Sequence, residues 1–304
     1  MTTYPPWILE EVKKNKAGLQ AGRSSGTIGD LSSARLHTVC DEALCPNKGK
    51  CFSGGEATFL ILGDSCTRTC RFCAVSKKPP LPPDPDEPRR VGELAKKWRL
   101  KHVVFTSPTR DDLPDGGAAH FAATIREIKK AAPSLKTEPL IPDFNGDTDA
   151  LAVVLNAGPD VLGHNIETVP ALYGKVRQGA DYKRSLALIT AAKRLRPDIL
   201  TKSGLMLGLG ESEKEIADTL HDMLQARCDL LTLGQYLAPS KTHLPVERYI
   251  TPDEFSAWGV KAEKMGFKAA LCGPLVRSSY RAGALYHKAV NPKAGIINTI
   301  NRKA

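Results

Sequence analysis

Six of the eight cysteines fall between Cys40 and Cys73, and they form two triplets. Cys66, Cys70 and Cys73 make a C-x3-C-x2-C array. Three thiolates on one short loop can hold three irons of a cubic 4Fe–4S cluster and leave the fourth iron open to a small molecule. A tetrahedral zinc ion asks for four ligands, usually in two pairs, and this spacing supplies three in one group. Cys40, Cys45 and Cys51 make a C-x4-C-x5-C array just upstream. It points to a second cluster, and the competing reading is a structural zinc or cluster site that folds the amino-terminal region. A disulfide framework would suit a small secreted chain, whereas clustered thiols in a larger chain of a reducing compartment more often bind metal. Cys228 and Cys272 stand alone and read as small apolar core residues.

The first array needs a scaffold, and the surrounding pattern supplies one. Nearly continuous apolar runs at 57–63, 101–106, 135–141, 160–165, 199–207 and 229–235 read as parallel strands covered on both faces. Helical periodicity lies between them. Leu188, Ala191, Ala192 and Leu195 share one face of 182–196, and Ile216, Leu220, Met223 and Leu224 share one face of 211–227. Ser212 with Glu215, and Thr251 with Glu254 behind Pro252, are predicted capping boxes. Such units call for a parallel sheet with right-handed crossovers, either a partial (βα)6 TIM-type barrel or a doubly wound sheet. The C-x3-C-x2-C array follows the first strand, at the carboxyl end where such folds place their chemistry. Three regions are expected: an extension at 1–56, a core at 57–272 and a tail at 273–304. With six prolines in ten residues, 79–88 is expected to be an extended connector.

The chain has 304 residues and a formal net charge of +10. A basic surface is either merely solvated or attracts an acidic partner. Aromatic residues are only 6% and no Arg/Lys block is interleaved with them, which argues against nucleic acid. No apolar run approaches the ~20 residues of a membrane span. The first residues lack an apolar signal core and include Glu10 and Glu11. The expected location is the cytoplasm.

The C-x3-C-x2-C loop resembles the radical S-adenosylmethionine (SAM) superfamily, and both arrays in this order resemble the lipoyl synthase family. RDDLPDGG at 110–117, LIPDF at 140–144, HNIETV at 164–169, ADY at 180–182 with RSL at 184–186, MLGLGE at 206–211, LGQYL at 233–237 and VRSSY at 276–280 also resemble that family. The similarity runs over roughly 35–285. It implies that SAM chelates the open iron of the first cluster and is cleaved to a 5′-deoxyadenosyl radical, twice per turnover. It also implies an auxiliary 4Fe–4S cluster that gives up sulfur, held by Cys40, Cys45, Cys51 and a serine of VRSSY, with Ser279 first and Ser278 as the fallback. The implied substrate is an octanoyl-lysine on a lipoyl domain or glycine-cleavage H protein. A flavodoxin or ferredoxin as electron donor and an iron–sulfur assembly carrier complete the implied partners, with no membrane and no nucleic acid.

For SAM, the strand ends offer Thr106 and Ser107 to the ammonium, Asn165 and Glu167 to the ribose hydroxyls, and Arg177 to the carboxylate, which a guanidinium matches as a fork. Backbone at 206–210 is expected near the adenine. Pro108 and Lys50 depart from the family's usual residues. The rival readings are a biotin-synthase-like sulfur transferase, a methylthiotransferase, or a non-catalytic iron–sulfur electron carrier.

Overall fold

The structure, a computed structural model, describes residues 4–20, 23–53 and 57–291. The last part of the expected tail, 292–304, lies outside the described residues. Helices α1 (Pro6–Gln20) and α2 (Arg23–Ala34) lead to β1 (His37–Thr38), α3 (Val39–Glu42) and α4 (Lys48–Ser53). The repeating part runs β2 (Phe59–Leu60), α5 (Glu87–Lys97), β3 (His102–Thr106), α6 (Ala118–Ala131), β4 (Lys136–Leu140), α7 (Thr148–Asn156) and β5 (Val161–Gly163). It continues through α8 (Tyr173–Val176), α9 (Tyr182–Leu195), β6 (Leu200–Leu207), α10 (Glu213–Gln225), β7 (Leu230–Gln235), α11 (Pro252–Met265), β8 (Ala269–Gly273) and α12 (Ala282–Val290).

The eight strands lie side by side in chain order. β2 to β8 are parallel, and β1 pairs antiparallel with β2. Each of the six expected runs contains a strand, and the apolar run ending at Cys272 adds a further parallel strand, β8. Among the described residues β8 is not hydrogen-bonded back to β1, so the sheet is an unclosed barrel.

Alternation along each strand sorts side chains between the helical layer and the barrel interior. Val103 and Phe105 of β3 pack outward with Phe121 and Ile125 of α6. Leu231 and Leu233 of β7 pack outward with Leu220 and Met223 of α10 and Phe255 of α11. At the lower end of the interior, Val161, Leu200, Leu230 and Ala269 meet Leu285 of α12. A charged group lies there too: Lys202 Nζ is 2.6 Å from Glu138, whose other oxygen is 2.8 Å from His102 Nε2. Ionised groups are tolerated at such depth only when paired.

The expected capping boxes are present at Ser212/Glu215 and Thr251/Glu254. The proline-rich stretch differs from expectation at its end, because α5 begins at Glu87 with Pro88 in its first turn. Proline there forfeits only an N–H that has no intrahelical acceptor anyway.

Candidate active site

The C-x3-C-x2-C loop leaves β2 through Leu62, whose φ is +64°. Two buried side chains fix that turn: Leu62 N–H donates to Glu87 (2.7 Å), and Arg110 Nη1 donates to Leu62 C=O (3.0 Å). Beyond it, Cys66 N–H donates to Ser76 C=O (2.8 Å) and Arg71 N–H to Val176 C=O (3.0 Å). Backbone N–H groups of Arg68 and Thr109 point at Cys66 Sγ, at 3.4 and 3.3 Å. In the metal-free chain, burial pushes the Cys70 thiol up to about 11 against the opposing pull of Arg177, and burial likewise raises Cys73. Iron must displace those protons on binding.

Arg68 carries the most connected side chain of the loop. Its guanidinium donates to Asp111 (2.8 and 2.9 Å), Asp143 (2.9 and 2.7 Å) and Asn145 (2.8 Å). Asp143 is fully buried and also accepts from Arg184 Nε at 2.9 Å. Burial alone would raise the Asp143 carboxyl, but Arg68 and Arg184 hold it well below the usual carboxylate range. RDDLPDGG and LIPDF therefore meet at one side chain of the cysteine loop, and Arg184 of RSL joins them through Asp143.

The loop after β5 carries Asn165 and Glu167. Glu167 sits at φ +71° and bridges to β6 through Glu167 N–H to Gly204 C=O and Met206 N–H to Glu167 C=O, both 2.9 Å. A non-glycine residue in this conformation stores backbone strain, and such strain gathers at functional sites. Asn165 Nδ2 donates to Glu167 (3.0 Å), while its buried Oδ1 has no partner among the described residues. Arg177 Nη1 donates to Tyr173 OH (2.7 Å) and Ser185 (3.2 Å). Burial would lower the Arg177 pKa, but Tyr173, Glu167 and Cys70 keep it raised. Thr106 spends its hydroxyl proton on Leu140 C=O (2.7 Å), and the buried Ser107 Oγ has no partner among the described residues.

Thr38 caps α3, on which Cys40 is buried. Cys45 follows in the loop, with its N–H on Cys40 C=O (3.2 Å), and Cys51 lies on α4. Burial, with Cys45 beside it, pushes the Cys40 thiol up to about 12. The VRSSY segment is pinned across these cysteines. Asn47 Nδ2 donates to Leu275 C=O (2.6 Å), Lys50 Nζ donates to Tyr280 OH (3.1 Å), and Arg277 Nη1 donates to Gln235 C=O (3.2 Å). The segment crosses β7 at Gly234, where a Cβ would meet Val276 C=O at 2.1 Å.

Two cavities adjoin the site. One, of about 650 Å³, is lined by Cys73, Asn165, Glu167, Cys40, Cys45, Ser278 and Ser279, with apolar Phe72, Leu44, Tyr236 and Leu237. The other, of about 560 Å³, is lined by Cys40, Cys45, Cys51, Arg277 and Ser279, but not Ser278. Cys66, Cys70, Thr106, Ser107 and Arg177 line neither. Among the described residues no group of three or more His, Cys, Asp or Glu is gathered around one metal ion, and no cysteine forms a disulfide. Cys40, Cys45, Cys51 and Ser279 instead line one cavity together, and three thiols and a hydroxyl around one space fit a cluster held at its corners. Cys228 and Cys272 are buried or nearly so in the outer core, as expected.

Residues 60–223 match the model of the radical SAM superfamily. The fold agrees: a crystal structure of HydG, a maturase of the FeFe-hydrogenase, superposes with a TM-score of 0.55 at 13% identity, covering 85% of this chain and 64% of that one. This is an enzyme of the radical SAM class. Within the class, a lipoyl synthase of Dechloromonas aromatica is 50% identical over 94% of this chain and 90% of its own. A lipoyl synthase of Geobacter sulfurreducens is 52% identical over 91% and 89%. The chain belongs to the lipoyl synthase family, and its cofactors are SAM and two 4Fe–4S clusters.

Proposed function

We propose that the chain inserts two sulfur atoms, at C6 and C8, into an octanoyl group carried on a lysine of an acceptor domain. The observation that carries this reading is the pair of cavities meeting at Cys40, Cys45, Arg277 and Ser279, one of which also reaches Cys73, Asn165 and Glu167. When bound, SAM at the first cluster supplies hydrogen abstraction from unactivated carbon, two per product, and the auxiliary cluster supplies the sulfur.

Cys66, Cys70 and Cys73 hold the first cluster. Cys40, Cys45, Cys51 and Ser279 hold the second, and Ser279 is preferred to Ser278 because it alone of the two lines the cavity shared by all three auxiliary cysteines. A serine oxygen grips iron less firmly than a thiolate, which suits a cluster that must come apart. Asn165 Oδ1, buried without a donor, and the Glu167 carboxylate beside it accept ribose hydroxyls. Among the described residues the hydrogen bonds of Arg177 to Tyr173 and Ser185 both come from Nη1, and the rest of its guanidinium fork is assigned to the SAM carboxylate. Ser107 Oγ, with Thr106, receives the ammonium. Phe72, Leu44, Tyr236 and Leu237 give the larger cavity an apolar wall for an uncharged acyl chain and keep water from it.

The extension (1–56), the core (57–272) and the tail (273–304) thus act as three units on one site. The acceptor is an octanoylated lipoyl domain or glycine-cleavage H protein. A flavodoxin or ferredoxin supplies electrons, an iron–sulfur assembly carrier is a further partner, and the setting is the cytoplasm. No helix among the described residues is long and apolar enough to cross a membrane.

The test is mass spectrometry of an octanoylated carrier peptide after anaerobic incubation with loaded protein, SAM and reductant. Two hydrogens replaced by two sulfurs is the expected result. Production of 5′-deoxyadenosine with an unchanged peptide would keep the class and remove the substrate.

A further inference from the structure

The two cavities differ in their charged linings. The larger holds carboxylates, Asp41 and Glu167, as well as Lys48 and Arg277. The smaller runs from the auxiliary cysteines to the seam where α12 packs beside β3 and β8, and among the described residues no carboxylate lines it. Its lining includes Arg99, Lys101, Arg277 and Arg281, together with His102 and His287. Arg99, Lys101, Arg281 and His287 are exposed and form its outer rim. Among the described residues the side chains of Arg99, Lys101 and Arg281 have no ion-pair or hydrogen-bond partner, although most other cations near this face have one: Lys97 pairs with Asp30, Lys136 with Asp160 and Lys288 with Glu263. Deeper in, His102 is 7% exposed at its side chain and its Nδ1 has no partner, while Nε2 is held by Glu138.

A passage of one sign, with low-dielectric walls, concentrates ions of the opposite sign. It would repel ferrous ion and serve poorly for a neutral acyl chain. We infer that this flank opening is the route by which anionic sulfide reaches the auxiliary ligand set, separate from the cavity that takes the acyl chain. The inference rests on the assignment of Cys40, Cys45, Cys51 and Ser279 as auxiliary ligands. Sulfur enters and stays at the sulfide level: two ferrous, two ferric and four hydrosulfide ions give a 4Fe–4S core in its 2+ state and release four protons, with no electron transferred.

The experiment follows cluster loading in two full-length backgrounds. In one, Cys66, Cys70 and Cys73 are replaced by alanine, so only the auxiliary cluster forms. In the other, Cys40, Cys45 and Cys51 are replaced, so only the first forms. Metal-free protein is equilibrated with equal ferrous and ferric iron, and sodium sulfide starts the reaction at low ionic strength. Adding R99E with K101E should slow auxiliary loading about ten-fold, leave the first cluster's rate unchanged, and leave the final iron count unchanged. Ala284→Trp narrows the passage without changing charge and should slow auxiliary loading at every ionic strength. Lys264→Glu, an exposed change on α11, should slow neither. Equal auxiliary rates in R99E/K101E and the parent, or an equal slowing at both sites, would overturn the route. If no auxiliary cluster forms in the first background at all, the ligand assignment fails instead.

Discussion

Ser279 decides whether the auxiliary donor set is the proposed one, because an alkoxide and a thiolate differ in how tightly they retain iron. Ser279→Ala should leave SAM cleavage intact, abolish sulfur insertion and convert the auxiliary cluster toward a three-iron form detectable by EPR. Ser278→Ala, which touches only the larger cavity, should stay near the parent in both. Asp143 carries a second residue-scale prediction. Its carboxylate is fully buried and holds Arg68 and Arg184. Asp143→Asn breaks a buried pair and should cost on the order of 3–5 kcal/mol, less whatever Asp111 retains of Arg68. Because the folded pKa is depressed, the stabilisation is present above the unfolded carboxylate value and lost as pH falls below about 4. Thermal melts of metal-free protein should therefore show the parent and the variant converging in acid and separating toward neutrality; parallel curves would remove Asp143 from that role. The two cysteine triplets stand out in the sequence because their signal lies in residue type and local spacing. Arg68 does not, since its meaning lies in partners 43 and 75 residues away, and sequence alone does not bring such residues together.

Elements were legible where a local signal fixes them and less so where tertiary packing decides. Ser212 and Glu215 specify the start of α10 by themselves. The run at 57–63 became a two-residue strand because Leu62 turns into the left-handed region, held there by Glu87 and Arg110, and neither partner announces itself nearby in the chain. The VRSSY segment is placed by the same kind of distant contact, and it can be dislodged at one position. A methyl group at Gly234 would meet the Val276 carbonyl oxygen at 2.1 Å and its carbon at 3.0 Å, so backbone must move. Gly234→Ala should lift residues 276–280 off β7 and withdraw Ser279, while the 66–73 loop, anchored through Arg68 on the other side, keeps its place. Iron per chain should fall from about eight toward about four, with SAM cleavage retained. Loss of both clusters together would mean that the segment supports the whole barrel rather than one site.

At the scale of the molecule, the alternation of runs and periodic segments left a partial barrel and a doubly wound sheet open, and the strand order in sequence, β1 through β8, resolves it as the former. β8 was not among the six runs read as strands, because AALCG is short. The charge of +10 was legible as a number but not as a use, since net charge says nothing of which face carries it. If it steers an acidic acceptor domain, the effect is on encounter and not on chemistry, and salt separates the two. Raising ionic strength from about 0.01 to 0.15 M shortens the screening length from about 30 to about 8 Å. With an octanoylated acidic domain, KM should rise several-fold over that range while kcat holds. With a short uncharged octanoyl-lysine peptide, neither should move. A salt-independent KM for the acidic domain would leave the basic surface merely solvated, and an equal rise for both substrates would place the salt effect inside the site, on SAM or on the clusters.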